Sequence, residues 1–123
     1  MTMKYSETDE FAKDFKKLSK RLKTLAGDFE TMKKNAIEFY HLKKIDNKSV
    51  FPIPGFCSEK ILICKVKKFA CRSLSGRGCR SGLRLIYAYQ KEQEEVIFIE
   101  LYFKSDQVNE DRDRIKEYLK NKN

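Results

Sequence analysis

Apolar residues in the first third of the chain recur with helical spacing. The first series advances by four, three and four residues through Phe11, Phe15, Leu18 and Leu22, so it lies on one face of a helix. Thr8 precedes this helix and is followed by two acidic residues, which is typical of an N-cap. Thr24 can cap a second helix, whose inner face would consist of Leu25, Phe29, Met32, Ala36 and Phe39 or Tyr40. Residues 8–42 therefore predict a helical hairpin, after a short strand over residues 2–6.

The middle of the chain changes to the period of two that is typical of β-strands. Strands are predicted over residues 60–72, 82–89 and 95–104, joined by a Gly-rich loop and by a hairpin turn. Residues 43–58 contain two prolines and are predicted to be a loop. A charged helix from about Asn109, with Ile115, Tyr118 and Leu119 inward, ends the chain. Residues 1–123 thus predict one α+β domain: a short N-terminal strand, a helical hairpin, a three-stranded antiparallel meander forming a small twisted sheet, and a C-terminal helix.

Alternation within the three strands separates two sheet faces. The face expected to pack on the helical hairpin contains Leu62, Cys64, Val66, Lys68, Ala70, Leu83, Leu85, Tyr87, Tyr89, Ile97, Ile99, Leu101 and Phe103. The other face collects Ile61, Ile63, Lys65, Lys67, Phe69, Arg84, Ile86, Ala88, Val96, Phe98, Glu100, Tyr102 and Lys104. Because this second face also carries large apolar side chains, we expect the C-terminal helix or a bound protein to cover part of it.

The positive charge of the chain is concentrated in these strands. Of the formal net charge of +9, residues 1–48 carry +4, residues 49–90 carry +7 and residues 91–123 carry −2. A fixed electropositive surface of this kind favours a polyanion such as RNA or DNA. The side chains predicted to contact RNA phosphates are Lys68, Arg72, Arg77 and Arg80, for which ordinary loop solvation is the alternative.

Other classes of site find little support in the composition. The four cysteines, Cys57, Cys64, Cys71 and Cys79, have six or seven residues between neighbours, which is not the spacing of zinc ligands. We expect reduced structural thiols, although a bridge between Cys71 and Cys79 fits the spacing under oxidation. The only histidine, His41, is expected on a helix surface. Neither a metal nor a cofactor is expected, and because the apolar runs are too short to span a bilayer, we expect a cytoplasmic protein without membrane association.

The second sheet face carries the cations that metal-free RNA cleavage needs. Arg84 can hold the scissile phosphate through two hydrogen bonds, while Lys65 and Lys67 neutralise the charge that develops on the phosphorane. The alternative for the two lysines is that they only hold phosphates, and the alternative for Arg84 is that it pairs with an acid such as Glu100.

The same face also supplies candidates for proton transfer. Glu100 is the candidate general base, and Tyr102 or Lys104 is the candidate general acid. As structural alternatives, Glu100 can pair with a cation across the strands, and Tyr102 can pack against the last helix.

These segments resemble the RelE/ParE superfamily of bacterial type II toxins, including its RelE and HigB branches. The resemblance covers nearly the whole chain and is carried by Lys65-Val66-Lys67 after the helix pair, by residues 81–87 (SGLRLIY) and by residues 96–104 (VIFIELYFK). It implies a small α+β toxin that cleaves mRNA on the ribosome without a metal, inhibits translation and is neutralised by a cognate antitoxin in a hetero-oligomer. By position, Lys65 and Lys67 match the lysine pair of RelE, Arg84 matches its strand arginine, and Lys104 matches a basic residue after the last strand.

The chain departs from the RelE pattern at its C-terminal end. Ser105 lies where RelE has an arginine, Phe103 lies where some relatives have an imidazole, and the RelE C-terminal tyrosine has no clear counterpart, Tyr118 being the nearest candidate. Arg77 or Arg80 could supply the missing cation.

Two alternative functions fit the same sequence. One is a ParE-like DNA gyrase poison, against which the paired lysines argue, because gyrase binding needs no phosphate clamp. The other is a nucleic-acid-binding relative without catalysis. In the toxin interpretation, the charge of +9 predicts binding to an acidic, partly disordered antitoxin segment.

Overall fold

The chain folds into one mixed sheet with helices on both faces. The computed structural model describes residues 3–46, 48–67, 69–74 and 82–122. In chain order, the elements are β1 (Lys4–Glu7), α1 (Asp9–Arg21), α2 (Leu25–Met32), a π-helical segment (Lys33–Glu38), α3 (Phe39–His41), β2 (Val50–Pro52), β3 (Ile61–Val66), β4 (Leu83–Gln90), β5 (Glu95–Phe103) and α4 (Arg112–Lys122). The strand order is β1-β5-β4-β3-β2, and only the β1–β5 pair is parallel among the described residues. The α+β class is confirmed.

The predicted helical hairpin is present. Thr8 Oγ1 accepts a hydrogen bond of 3.1 Å from the backbone N–H of Phe11, as an N-cap should. The π-helical segment and α3 continue α2 as one helix, because the backbone dihedral angles at both junctions stay in the right-handed helical region. Thr24 occupies the N-cap position of α2, but its hydroxyl donates to Asp28 Oδ2 at 2.6 Å and accepts the Ser73 backbone N–H at 2.8 Å, not an N–H of α2.

The sheet separates two apolar cores. The larger core, on the side of α1 and α2, is built around Phe11, Phe29 and Phe98, whose ring centroids lie 4.8 to 5.7 Å apart. The smaller core lies under α4, where Ile115 is fully buried and Tyr118 is 8% exposed. The C-terminal helix therefore covers part of the second sheet face, as the sequence predicted.

The second strand corrects the prediction that residues 43–58 form a loop. β2 pairs antiparallel with β3 and places Phe51 opposite Lys65. Pro52 lacks an N–H, but β2 is the edge strand, where that donor has no ladder partner to meet. The prediction for the next strand was too long, because β3 ends at Val66 and, among the described residues up to 72, a single isolated bridge follows at Phe69.

A β-bulge in β5 reverses half of the predicted strand parity. Tyr87 pairs with Phe98 and Ile86 pairs with Glu100, so Ile99 is an extra residue opposite β4. The predicted faces are correct for Glu100 and Tyr102. The predicted faces were wrong for the residues from Val96 to Ile99. The larger core contains Val96, Phe98, Leu101 and Phe103, and the smaller core contains Ile97, Ile99 and Tyr102.

Two charged side chains satisfy the backbone groups that the bulge exposes beyond the end of β1. Asp14 Oδ2 accepts from the Leu101 N–H at 3.2 Å, and Arg114 Nη1 donates to the Ile99 carbonyl at 3.0 Å. Arg114 Nη1 also donates to Asp14 Oδ2 at 2.7 Å, which joins α1 and α4 around the sheet edge. Burial alone would lower the pKa of Arg114, but the hydrogen bond and charge of Asp14 outweigh it and raise that pKa.

Two aromatic side chains lie in the larger core against prediction. Phe69 was assigned to the face of Lys65, but it is fully buried and stacks on Phe29 with a centroid distance of 6.0 Å, because alternation ends with β3. His41 was expected on the surface and is only 4% exposed. Its Nε2 lies 2.7 Å from the Tyr87 hydroxyl, and its ring stacks on Tyr89 at 3.9 Å, so aromatic contacts favour its burial.

Candidate functional site

The candidate site consists of two neighbouring rows of residues on the α4 face of the sheet. In the first row, Lys65 of β3 pairs with Ile86 of β4, which in turn pairs with Glu100 of β5. In the second row, Arg84 of β4 pairs with Tyr102 of β5. The strand register therefore brings together four of the six predicted catalytic side chains.

Lys65 is held by a carboxylate that the sequence did not single out. Its Nζ lies 2.5 Å from Glu110 Oε1, and the two side chains are only 14% and 6% exposed. Arg112 Nη2 lies 3.4 Å from the other oxygen of Glu110. Burial alone would raise the pKa of Glu110, but the hydrogen bond and charge of Lys65 outweigh it and lower that pKa. Glu110 is therefore ionised at neutral pH and neutralises Lys65.

Glu100 anchors the connection to α4. One carboxylate oxygen accepts from the Asp111 backbone N–H at 2.9 Å, and the other accepts from the Gln107 side-chain amide at 2.8 Å. The residue is 3% exposed, and burial raises its pKa although both hydrogen bonds oppose the shift. Because each oxygen already accepts a structural N–H, the geometry favours a positioning role over that of a general base.

Tyr102 presents a buried hydroxyl to the site. The residue is 6% exposed, and its hydroxyl has no hydrogen-bond partner among the described residues. Burial raises its pKa to about 12, with further contributions from the negative charges of Glu110 and Glu100. The phenol therefore keeps its proton at neutral pH. A buried O–H donor without an acceptor is costly, so this position suits a ligand oxygen.

Arg84 completes the second row, while Lys67 and Lys104 lie at the margin of the site. Arg84 is half-buried, and its Nη1 donates to the carbonyls of Lys67 and Leu83, both at 3.1 Å. Lys67 is exposed, and its ammonium lies 4.8 Å from the centre of the Phe51 ring. Lys104 is exposed just beyond β5, where its backbone N–H donates to the Gly82 carbonyl at 2.8 Å.

The predicted RNA-contacting residues fall into two groups. Lys68, Arg77 and Arg80 lie outside the described residues, as does Cys79. Arg72 lies against α2 and not beside Lys65: its Nε donates to Asp28 Oδ1 at 2.7 Å, and its backbone N–H donates to Asp28 Oδ2 at 2.8 Å. The Arg72 side chain nevertheless remains 71% exposed, which leaves it accessible to a phosphate.

Sequence reasoning missed Glu110 and Gln107. Both lie in a polar stretch after the last strand, where neither periodicity nor a motif marks them. The one available signal was charge: residues 105–111 contain three acids and no cation, next to a strongly basic sheet. Opposite charges on consecutive segments favour contact, but they do not identify which carboxylate meets which lysine.

Thiols and metal ligands do not contribute to this site in the part of the chain that is described. Cys57, Cys64 and Cys71 are free cysteines, and burial raises the pKa of the Cys64 thiol to about 12. The described residues contain no group of three or more His, Cys, Asp or Glu side chains arranged to hold a metal ion. Nor is any helix within them both long enough and apolar enough to span a membrane.

Comparisons with protein-family models, with curated proteins and with solved structures each found no match. The resemblance to the RelE/ParE superfamily therefore stays a prediction from the sequence.

The arrangement can bind and polarise an oxyanion. Lys65 and Arg84 provide two cations from adjacent rows, and Tyr102 provides a protonated hydroxyl between the sheet and the segment that precedes α4. These are the donors that a phosphodiester requires: positive charge for its non-bridging oxygens and a proton for a leaving oxygen.

Proposed function

We propose that this chain is the toxin of a bacterial type II toxin–antitoxin system, an endoribonuclease that cleaves mRNA on the ribosome without a metal ion and stops translation. The observation that carries the proposal is the convergence of Lys65, Arg84 and Tyr102 on one sheet face. The concentration of +7 on residues 49–90 supports a polyanionic substrate. The motif resemblance supports mRNA and the ribosome in particular.

The reaction would proceed by attack of the RNA 2′-oxygen on the adjacent phosphorus. The bond from phosphorus to the 5′-oxygen breaks, which leaves a 2′,3′-cyclic phosphate and a 5′-hydroxyl. Arg84 and Lys65 stabilise the charge of the phosphorane, and Tyr102 donates its proton to the leaving 5′-oxygen. Glu100 does not act as the base, because both of its oxygens already accept hydrogen bonds that hold the connection to α4. The proton of the 2′-hydroxyl therefore passes to water. Lys67 and Lys104, both exposed beside the site, contact neighbouring phosphates.

The cellular setting follows from the same proposal. A ribosome-dependent nuclease acts in the cytoplasm and has to be held inactive by a cognate antitoxin. A positively charged domain suits an acidic antitoxin segment, which would form a hetero-oligomer with the toxin.

The test is cleavage of mRNA by purified protein with and without bacterial ribosomes, with the new 5′ ends mapped by primer extension. We expect cleavage only when the mRNA is translated, and Arg84→Ala should lower the rate by at least about 100-fold because a phosphate clamp is lost. Lys20→Ala is the matched control: it removes one positive charge from the exposed surface of α1 and should leave the rate unchanged.

Three outcomes would contradict the proposal. Full activity of Arg84→Ala would show that the catalytic site is not where we propose it. A DNA damage response with intact mRNA after induced expression would favour a gyrase poison. Salt-sensitive RNA binding without cleavage on translating ribosomes would favour a non-catalytic binder.

A further inference from the structure

The connection between β5 and α4 closes over the candidate site. This closing segment, residues 104–111, contains Asp106, Glu110 and Asp111 against the single cation Lys104. Its two ends are fixed independently: the Lys104 N–H donates to the Gly82 carbonyl, and the Asp111 N–H donates to Glu100. Between them, the Gln107 side chain donates to Glu100, while Val108 is 79% exposed and points away from the core.

Glu110 occupies the position where an anion would bind. Its carboxylate contacts the Lys65 ammonium at 2.5 Å while the side chain is only 6% exposed, so the pair is largely shielded from water. A second anion could not approach Lys65 closely without strong repulsion, because like charges in a shielded site interact strongly. The carboxylate and a phosphodiester therefore compete for the same lysine.

Tyr102 provides an independent indication that a ligand belongs here. Its hydroxyl is buried and lacks a hydrogen-bond partner among the described residues, and the negative charge of Glu110 contributes, after burial, to its raised pKa. Glu110 thus satisfies the lysine of the site but leaves the phenol unsatisfied. A phosphodiester, which has several acceptor oxygens, could bond both groups at once.

We propose that Glu110 is a built-in competitor of the RNA phosphate, which closes the site in the free protein and is displaced from Lys65 when RNA binds. The inference rests on the proposed function for the identity of the ligand, but it concerns binding and not cleavage. Glu100, in contrast to Glu110, stays in place when RNA binds. It keeps its hydrogen bonds to Asp111 and Gln107, so that the closing segment stays attached while the Glu110 side chain moves away.

The first test measures affinity for a single-stranded oligoribonucleotide that is 2′-O-methylated throughout and therefore cannot be cleaved. We expect Glu110→Gln to bind it about ten-fold more tightly than the wild type, because the amide no longer competes as an anion. Asp113→Asn is the matched control, since it removes one negative charge three residues away on the exposed start of α4, and its effect should stay below about two-fold. Equal effects of the two substitutions, weaker binding by Glu110→Gln, or no binding by any variant would overturn the inference.

The second test uses the wild-type protein and so does not depend on how a variant folds. A carbodiimide should join Lys65 to Glu110 through an amide bond, because the two groups are in direct contact. Saturating oligonucleotide without terminal phosphates should reduce this cross-link several-fold, as read by mass spectrometry of the joined peptides. The Lys33–Glu30 pair, 2.8 Å apart with side chains 18% and 68% exposed, serves as the internal control and should react equally in both conditions.

The two proposals can fail separately. A cross-link that persists at saturation overturns the role of Glu110 even if the chain cleaves mRNA. If RNA removes the cross-link but the chain never cleaves translated mRNA, the role of Glu110 is supported and the proposed nuclease activity is overturned.

Discussion

At the scale of single residues, the Tyr102 hydroxyl is expected to matter for the rate of cleavage and not for the stability of the fold. Its hydroxyl has no acceptor among the described residues, so it contributes nothing by hydrogen bonding to the free protein. Tyr102→Phe removes only that hydroxyl and keeps the ring in the smaller core. We expect cleavage of translated mRNA to slow by about 100-fold or more, because the leaving oxygen loses its proton donor, while the free energy of unfolding changes by less than about 1 kcal/mol.

The matched control for this substitution is Tyr118→Phe. Tyr118 also lies in the smaller core, under α4, and accepts a hydrogen bond of 3.2 Å from the Gln90 side chain. Its hydroxyl takes no part in the proposed chemistry, so the cleavage rate should stay at the wild-type value. Equal rates for Tyr102→Phe and the wild type would remove the phenol from the mechanism.

At the scale of elements, Asp28 joins α2 to the chain that follows β3. Its carboxylate accepts from the Thr24 hydroxyl and from both the backbone and side-chain nitrogens of Arg72. Burial alone would raise its pKa, but the hydrogen bonds from Thr24 and Arg72 outweigh it and lower that pKa. This one carboxylate therefore holds Arg72, in the chain that follows β3, against α2.

Removing the Asp28 carboxylate should loosen this junction. We expect Asp28→Ala to lower the free energy of unfolding by about 2 to 3 kcal/mol, because Thr24 and the Arg72 backbone lose their shared acceptor. Urea unfolding followed by circular dichroism measures the change. Glu30→Ala is the control: it breaks only the exposed pair with Lys33 and should cost less than about 0.5 kcal/mol. Similar losses for both variants would contradict this role of Asp28.

At the scale of the whole molecule, His41 couples global stability to pH. Burial, with a smaller effect of the Lys44 charge, lowers its pKa to about 4 from the usual 6.5. Between those values the unfolded chain binds more protons than the folded one, so stability falls as the pH drops from 7 towards 4. The full effect is up to about 3 kcal/mol.

The prediction is checked with His41→Gln, which keeps a polar group near the Tyr87 hydroxyl but cannot be protonated. We expect its unfolding free energy to change less than that of the wild type between pH 7 and pH 4.5. His41 is the only histidine of the chain, so the difference between the two curves belongs to this side chain. Parallel curves would show that the imidazole titrates alike in both states.

Local patterns determined the parts of the fold that local interactions govern. The N-cap at Thr8 and the apolar stripes of the helices follow from spacing, because each helical turn satisfies its own backbone. The faces of β3 and β4 followed from alternation, since those strands are regular. The same alternation predicts that Lys65, Arg84 and Tyr102 share one face, and the strand register confirms it.

Long-range contacts decided the rest. Asp14 and Arg114, which are 100 residues apart, bond the backbone at the bulge in β5, and local alternation does not predict the reversal at Ile97 and Phe98. His41 is buried because Tyr87 and Tyr89 come from a strand 46 residues away. Likewise, Glu110 meets Lys65 from a segment 45 residues away, next to Asp111, whose N–H is held by Glu100. The sequence by itself thus determined which charges this protein carries on its sheet. Only the tertiary structure decided that one of its own carboxylates already neutralises Lys65, because the free energy of such a contact depends on burial and geometry that residue spacing does not encode.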